Sequence, residues 1–169
     1  MTEPSTPHLD PREELPMHLP AMRAFAISLT RDLTAADDLV QDCLLRALEK
    51  QHQLQPDSNL RAWLFTLMHN LYVNQIRQLT RQPDTYCWSD ESSSDNDPEP
   101  ELLARHQQLQ QQMSQIPFAQ REVLALVVLE GFSYQQVANI LAVPIGTVMS
   151  RLARGKGQLK TILSEKKLK

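Results

Sequence analysis

The chain has 169 residues, 41% of them apolar but only 5% aromatic, with four glycines and a formal net charge of −3. That length allows one medium domain or two small ones, and a Leu-, Ala-, Val- and Ile-based core without period-two alternation predicts helices rather than sheet. No apolar run approaches the roughly 20 residues of a membrane span, and the polar, proline-rich opening MTEPSTPHLDPREELP is unlike a secretory signal, so a cytoplasmic protein without membrane insertion is expected.

Residues 1–13 are expected to form a flexible tail, and 14–81 a first helical domain. Its first helix should run from about Leu15 to Thr30, with Pro16 and Pro20 disturbing the opening turn. Thr34 reads as the N-cap of a second helix, with Asp37 at N3 in capping-box spacing. There Leu39, Val40, Cys43, Leu44, Ala47 and Leu48 form one apolar face, and Asp38, Gln41, Asp42 and Glu49 lie outside it. Cys43 on that face reads as a buried structural thiol. Cys43 and Cys87 form no CxxC, which argues against a metal site or a disulfide framework, and Cys87 reads as a passive surface thiol.

After the loop HQLQPDSN, Ser58 or Asn59 is placed to cap a third helix over Leu60–Arg81. Leu60, Trp63, Leu64, Leu67, Met68 and Leu71 supply its core side. Asn70, Asn74, Arg77 and Arg81 recur at i, i+4, i+7 and i+11 and so share one polar, basic stripe. Amides alternating with arginines suit phosphates and base edges, although an ordinary solvated face has the same spacing.

The modest net charge hides a split. Residues 1–81 carry 8 basic and 10 acidic side chains, residues 82–101 carry 7 acidic and none basic, and residues 102–169 carry 9 basic and 3 acidic. The segment 82–101, rich in Pro, Ser and Asp, is expected as a flexible acidic linker, because it has too little apolar surface to offset the entropy of ordering. Tyr86 and Trp88 are the residues that would anchor it if it were ordered. Its carboxylates would also compete with DNA for the basic segment that follows.

That segment, 102–169, reads as a second helical domain. A glutamine-rich helix runs from Glu101 to about Ser114, and Pro117 opens another that continues to Glu130 and stops at Gly131. Ser133 then caps a short helix with Gln136 at N3. Val137, Ala138, Ile140 and Leu141 point inward, and the helix ends at Val143–Pro144. A long basic helix begins near Ile145. Short helix, tight break and longer basic helix form a helix-turn-helix. On the last helix Val148, Leu152, Gly155 and Leu159 make the docking stripe. The opposite face shows Met149, Ser150, Ala153, Arg154 and Gly157, flanked by Arg151, Lys156 and Lys160. Small residues with an Arg between flanking cations suit a helix lying in a major groove, where a bidentate Arg reads guanine and the flanking cations hold phosphates.

Two blocks of this sequence resemble one family, the extracytoplasmic-function sigma factors of bacterial RNA polymerase. DDLVQDCLLRALEK (37–50) is similar to the family's region 2.2 helix and NLRAWLFTLMHNLYVNQIR (59–77) to its regions 2.3 and 2.4. The stretch Gln115–Leu159, with GTVMSRLARGK inside it, is similar to region 4. The resemblance implies an all-α fold of two small domains on either side of the acidic linker. It implies that Asp38, Gln41 and Asp42 dock on the clamp helices of the largest subunit of core RNA polymerase. The loop Gln55–Leu60, including Ser58 and Asn59, with Asn70 behind it, would capture a flipped base of the −10 element, and Arg61 would be a further contact to that element. Asn74, Arg77 and Arg81 would hold the neighbouring promoter DNA. Thr147, Met149, Ser150, Arg151, Arg154 and Lys156 would read the −35 element, with Met149 standing where the family commonly carries a basic residue. The flap of the second-largest polymerase subunit and an anti-sigma factor are the further partners implied.

An enzyme is not expected. The five histidines are scattered, no HExxH, phosphate-binding glycine loop or GxSxG is present, and no cofactor or metal is implied. Two other readings stay open on the sequence: a stand-alone helix-turn-helix regulator, and a sigma mimic that only titrates an anti-sigma factor.

Overall fold

A computed structural model describes residues 11–55, 58–81 and 114–167. Every regular element among them is helical: α1 (Pro11–Thr30), α2 (Leu33–Lys50), α3 (Leu60–Arg81), α4 (Phe118–Leu124), α5 (Tyr134–Leu141) and α6 (Ile145–Lys167). A 3-10 turn follows α2 at Gln51–Gln53, and a π turn follows α4 at Ala125–Leu129. The acidic segment 82–101, with Tyr86, Cys87 and Trp88, and most of the glutamine-rich helix expected after it lie outside the described residues.

The first unit is an α1–α2–α3 bundle. Helix α1 starts earlier than its prolines suggested, because Pro16 and Pro20 both sit on its exposed side while Leu15, Met22, Phe25, Ala26 and Leu29 bury the other. Packing of that face outweighs the backbone bonds that the prolines remove. Arg31, at φ 61°, ends the helix and reverses the chain. The cap of α2 is therefore Asp32, not Thr34. Asp32 is extended, and its Oδ1 accepts the Ala35 N–H at 2.7 Å. Asp37, expected to complete a capping box, instead accepts from Arg23 Nε at 2.7 Å, and this bond holds its carboxyl below the usual range.

Asn59 is the residue that caps α3, its side-chain oxygen accepting the Ala62 N–H at 3.0 Å. The core that α3 closes comprises Phe25, Leu39, Cys43, Leu64 and Met68, together with Phe65, which the sequence reading had not placed there. Leu48, assigned to the apolar face of α2, is 39% exposed. Cys43 is fully buried, its thiol facing the Leu64 carbonyl at 3.6 Å. Burial, with the Asp42 charge second, pushes that thiol up to about 12.

The second unit holds the helix-turn-helix. The helix expected over 117–130 is interrupted: its last turn widens so that the Glu130 N–H bonds to Ala125 O, five residues back, at 3.0 Å. Gly131, at φ 69°, stops it. Ser133 and Gln136 cap α5 reciprocally, at 3.2 and 2.9 Å. The turn closes at Ala142, φ 52°, with the Val143 N–H on Ala138 O at 3.1 Å, and the Pro144 carbonyl accepts the first N–H of α6 from Thr147 at 2.9 Å. Gly155 lets α6 approach α4 closely: a Cβ there would lie 2.8 Å from Leu124 Cδ1 and 3.3 Å from Gln120 O.

The two units pack against each other. Phe65 of α3 lies between Phe25, tilted against it at 5.0 Å, and Phe132 of the second unit, edge-on at 5.2 Å, and Tyr72 meets Phe118 at 5.4 Å. Burying one such ring contributes about 1.5–3 kcal/mol. Inside this seam Arg121 donates from Nε to Ser28 O at 2.6 Å and from Nη2 to Leu29 O at 3.3 Å, while its Nη1 holds Ile116 O at 2.8 Å. Ser28 and Leu29 are in the last turn of α1, whose carbonyls have no helical partner and carry the negative end of the helix dipole. A cation from one unit thus caps a helix of the other. Beside it His69 Nδ1 donates to Glu122 Oε1.

Candidate nucleic-acid interface

The α3 stripe emerges where the helix runs past the core. Asn70, Asn74, Arg77 and Arg81 are all exposed, and α3 carries no acidic residue. Their spacing over three turns makes one strip of amides and cations, the chemistry that grips a phosphate backbone while reaching for bases. At the other end of the helix Ser58 and Asn59 are exposed, but both side chains are already engaged locally, Ser58 Oγ on Gln55 O and Asn59 on the α3 cap.

Arg61 departs from the other −10 candidates. It is half-buried, and its Nη2 donates to the Glu130 carboxylate at 2.8 Å and to the Glu130 carbonyl at 2.6 Å. Its guanidinium also lies 4.5 Å from the centre of the Phe132 ring. The structure therefore turns Arg61 toward the second unit, away from the Asn70–Arg81 stripe. Helical periodicity already puts Arg61 on the side of α3 opposite that stripe; what it could not reveal is the partner, because Glu130 is 69 residues away.

On α6 the docking stripe falls as expected: Val148, Leu152 and Gly155 are buried, and Leu159 is half-buried. Met149, Ser150, Ala153, Arg154, Lys156 and Gly157 are exposed, while Thr147 and Arg151 are half-buried at the margins. Ser150 Oγ donates to Thr147 O at 3.1 Å, one turn back. Arg154 also borders a groove of about 420 Å³ between α4 and α6 that Gln120, Gln158 and Thr161 line. The exposed face of α6 is narrow, with Arg154 at its centre and cations at its flanks. That arrangement suits reading one base edge and holding the phosphates around it.

A third surface lies on α2. Asp38, Gln41 and Asp42 are exposed together, and Asp42 accepts from Gln75 Nε2 at 3.4 Å. An apolar groove of about 420 Å³ formed by Leu15, Pro16, Leu19, Leu44 and Leu48 lies between α1 and α2. Sequence reasoning missed the buried charges Arg121, Glu122 and Glu130 and the half-buried His69. The available signal was that Arg121 and Glu122 interrupt an otherwise apolar stretch, where a charged side chain is more readily drawn into the core. No helix among the described residues is long and apolar enough to cross a membrane.

Comparison with known proteins matches both helical units to known domains. Residues 15–69 match the model described as the Sigma2 domain of PhyR, and residues 106–159 match Sigma-70, region 4. The ECF RNA polymerase sigma factor EcfG of Rhodopseudomonas palustris is 37% identical over 90% of this chain and 84% of its own length. RNA polymerase sigma factor HrpL of Pseudomonas syringae is 34% identical over 82% of this chain and 79% of its own. Among solved structures, the sigma factor RpoE of Bartonella quintana, crystallised with the anti-sigma factor NepR, superposes with a TM-score of 0.76 at 36% identity, covering 90% of this chain and 96% of that one. With two region models in the order of the two helical units, and relatives aligned along both, the chain belongs to the extracytoplasmic-function sigma factors of bacterial RNA polymerase.

Proposed function

We propose that this chain is a dissociable specificity subunit that carries core RNA polymerase to promoters and leaves the chemistry to the polymerase. The observation that carries the reading is the simultaneous exposure of two separate cationic faces, Asn70–Arg81 on α3 and Met149–Lys156 on α6, on units of one chain. Residues 14–81 serve the −10 element and 102–169 the −35 element, with 82–101 as the tether; the tail expected over 1–13 is shortened at its end, because α1 already begins at Pro11. Thr147, Met149, Ser150, Arg151, Arg154 and Lys156 contact the upstream duplex. Asn74, Arg77 and Arg81 hold the downstream strand, the Ser58–Asn59 loop with Asn70 behind it receives an extruded base, as in other proteins that stabilise an unstacked nucleotide, and Arg61 is a further contact to the −10 strand. Engaging two elements at once raises effective concentration, so each contact can be weak alone.

Asp38, Gln41 and Asp42 form the docking edge for the clamp helices of the largest polymerase subunit, and the second unit rests on the flap of the second-largest. The protein acts in the cytoplasm under an anti-sigma factor, a reading supported by the likeness to the Bartonella sigma factor bound to NepR. Run-off transcription with core polymerase tests the whole: a promoter-dependent transcript should appear only when this protein is added. Polymerase-independent repression of a promoter would instead identify a regulator. Capture of an anti-sigma factor with no transcript would identify a mimic.

A further inference from the structure

Arg61 is assigned to the −10 strand, yet in the structure its guanidinium is occupied. Glu130 takes Nη2 with both its carboxylate and its carbonyl, and the Phe132 and Phe65 rings lie 4.5 and 5.6 Å from the guanidinium carbon. The Glu130 side chain is only 5% exposed. A carboxylate so desolvated needs its cation, and this one is supplied across the seam by the first turn of α3. A carboxylate offers an arginine the same anionic oxygens as a phosphate.

We propose that Glu130 is an internal decoy for promoter DNA, latching the two units together through the cation that the −10 strand requires. The inference rests on the sigma-factor reading above and adds self-inhibition to it. Geometry makes the latch and promoter binding mutually exclusive. The −10 and −35 elements are about 25 base pairs apart, which at about 3.4 Å each is roughly 85 Å. A compact chain of this length has a radius of gyration of about 15 Å and measures roughly 40 Å across. The closed form cannot touch both elements. Opening breaks the Arg61–Glu130 bonds, returns Glu130 to water and releases Arg61 to DNA in one step. The free chain is thus held off promoters without help from another protein, and polymerase docking has to pull the units apart.

The test uses the full chain with neither polymerase nor anti-sigma factor present. Small-angle X-ray scattering reads opening, and fluorescence anisotropy reads binding of a short mixed-sequence single-stranded DNA. Glu130→Ala should shift the closed-to-open ratio at least about tenfold toward open, enlarging the radius of gyration and tightening DNA binding. The gain in binding should vanish in Glu130→Ala/Arg61→Ala. Arg61→Glu and Glu130→Arg should each open the chain, and the two together should close it again. Helical circular dichroism reports folding; if Glu130→Ala loses helix, the volume-conserving Glu130→Gln is read in its place. Glu130 variants that keep the wild-type scattering curve overturn the latch. Variants that open without binding DNA better overturn the decoy. A wild-type chain that gives no transcript with core polymerase refutes the underlying reading instead, and scattering then still decides the latch.

Discussion

The Nε–H of Arg121 donates to the carbonyl oxygen of Ser28 at 2.6 Å, across 93 positions of sequence. Through it a buried cation of the second unit completes the last turn of α1, where Leu29 O also accepts from the Tyr72 hydroxyl at 2.9 Å. Burial lowers the Arg121 pKa from its usual value, with the Arg31 charge acting in the same direction. The guanidinium remains there because three carbonyl oxygens, Ser28, Leu29 and Ile116, replace the water it gives up.

Arg121→Leu should lower the free energy of unfolding by about 3 kcal/mol, because it orphans buried carbonyls that bonded to a charged donor. Urea denaturation followed at two probes, one in each unit, checks it. The two transitions should separate in the variant, since the lost bonds couple the units. Coincident transitions at the wild-type midpoint would refute the coupling.

Arg154→Ala removes the one long cation at the centre of the exposed α6 face. Affinity for the upstream element should fall by about 1–3 kcal/mol if the contact is bidentate to guanine, while association with core polymerase stays at the wild-type level. Electrophoretic mobility shift with assembled holoenzyme, paired with co-purification, measures both.

Asp38→Ala with Gln41→Ala alters two exposed side chains that make no buried contact, so thermal stability should move by less than about 0.5 kcal/mol. Co-purification with core polymerase should fall sharply. Unchanged co-purification would remove the docking role from this edge of α2.

Burial pushes the Cys43 thiol from its ordinary value of 9.0 up to about 12 in the folded protein. Above 9 the unfolded chain releases that proton while the native state holds it, so the native state binds more protons and stability falls as pH rises between these values. Cys43→Ala should flatten this alkaline slope. At neutral pH the wild-type thiol should resist a thiol reagent until the protein unfolds, and rapid labelling of native protein at Cys43 would contradict its burial.

Much of this protein was legible in its sequence because the deciding forces are local. Helical periodicity placed α3 over Leu60–Arg81, the Ser133–Gln136 pair announced α5, and Gly155 marked where α6 approaches α4. Faces were equally readable, since residues 3, 4, 7 and 11 apart share a side whatever the surroundings. The cap of α2 was misread because Asp32 and Thr34 both suit the role, and only the reversal of the chain at Arg31 chooses between them. What tertiary structure alone decided is the partner of each buried charge. Arg121, Glu122, Glu130, Arg61 and His69 are ordinary polar residues along the chain; desolvation forces each to find a partner, and apart from the Ile116 carbonyl beside Arg121 those partners lie 53 to 93 residues away. No periodicity carries information over that distance, so the closing of one unit on the other, and with it the fate of Arg61, belonged to the fold.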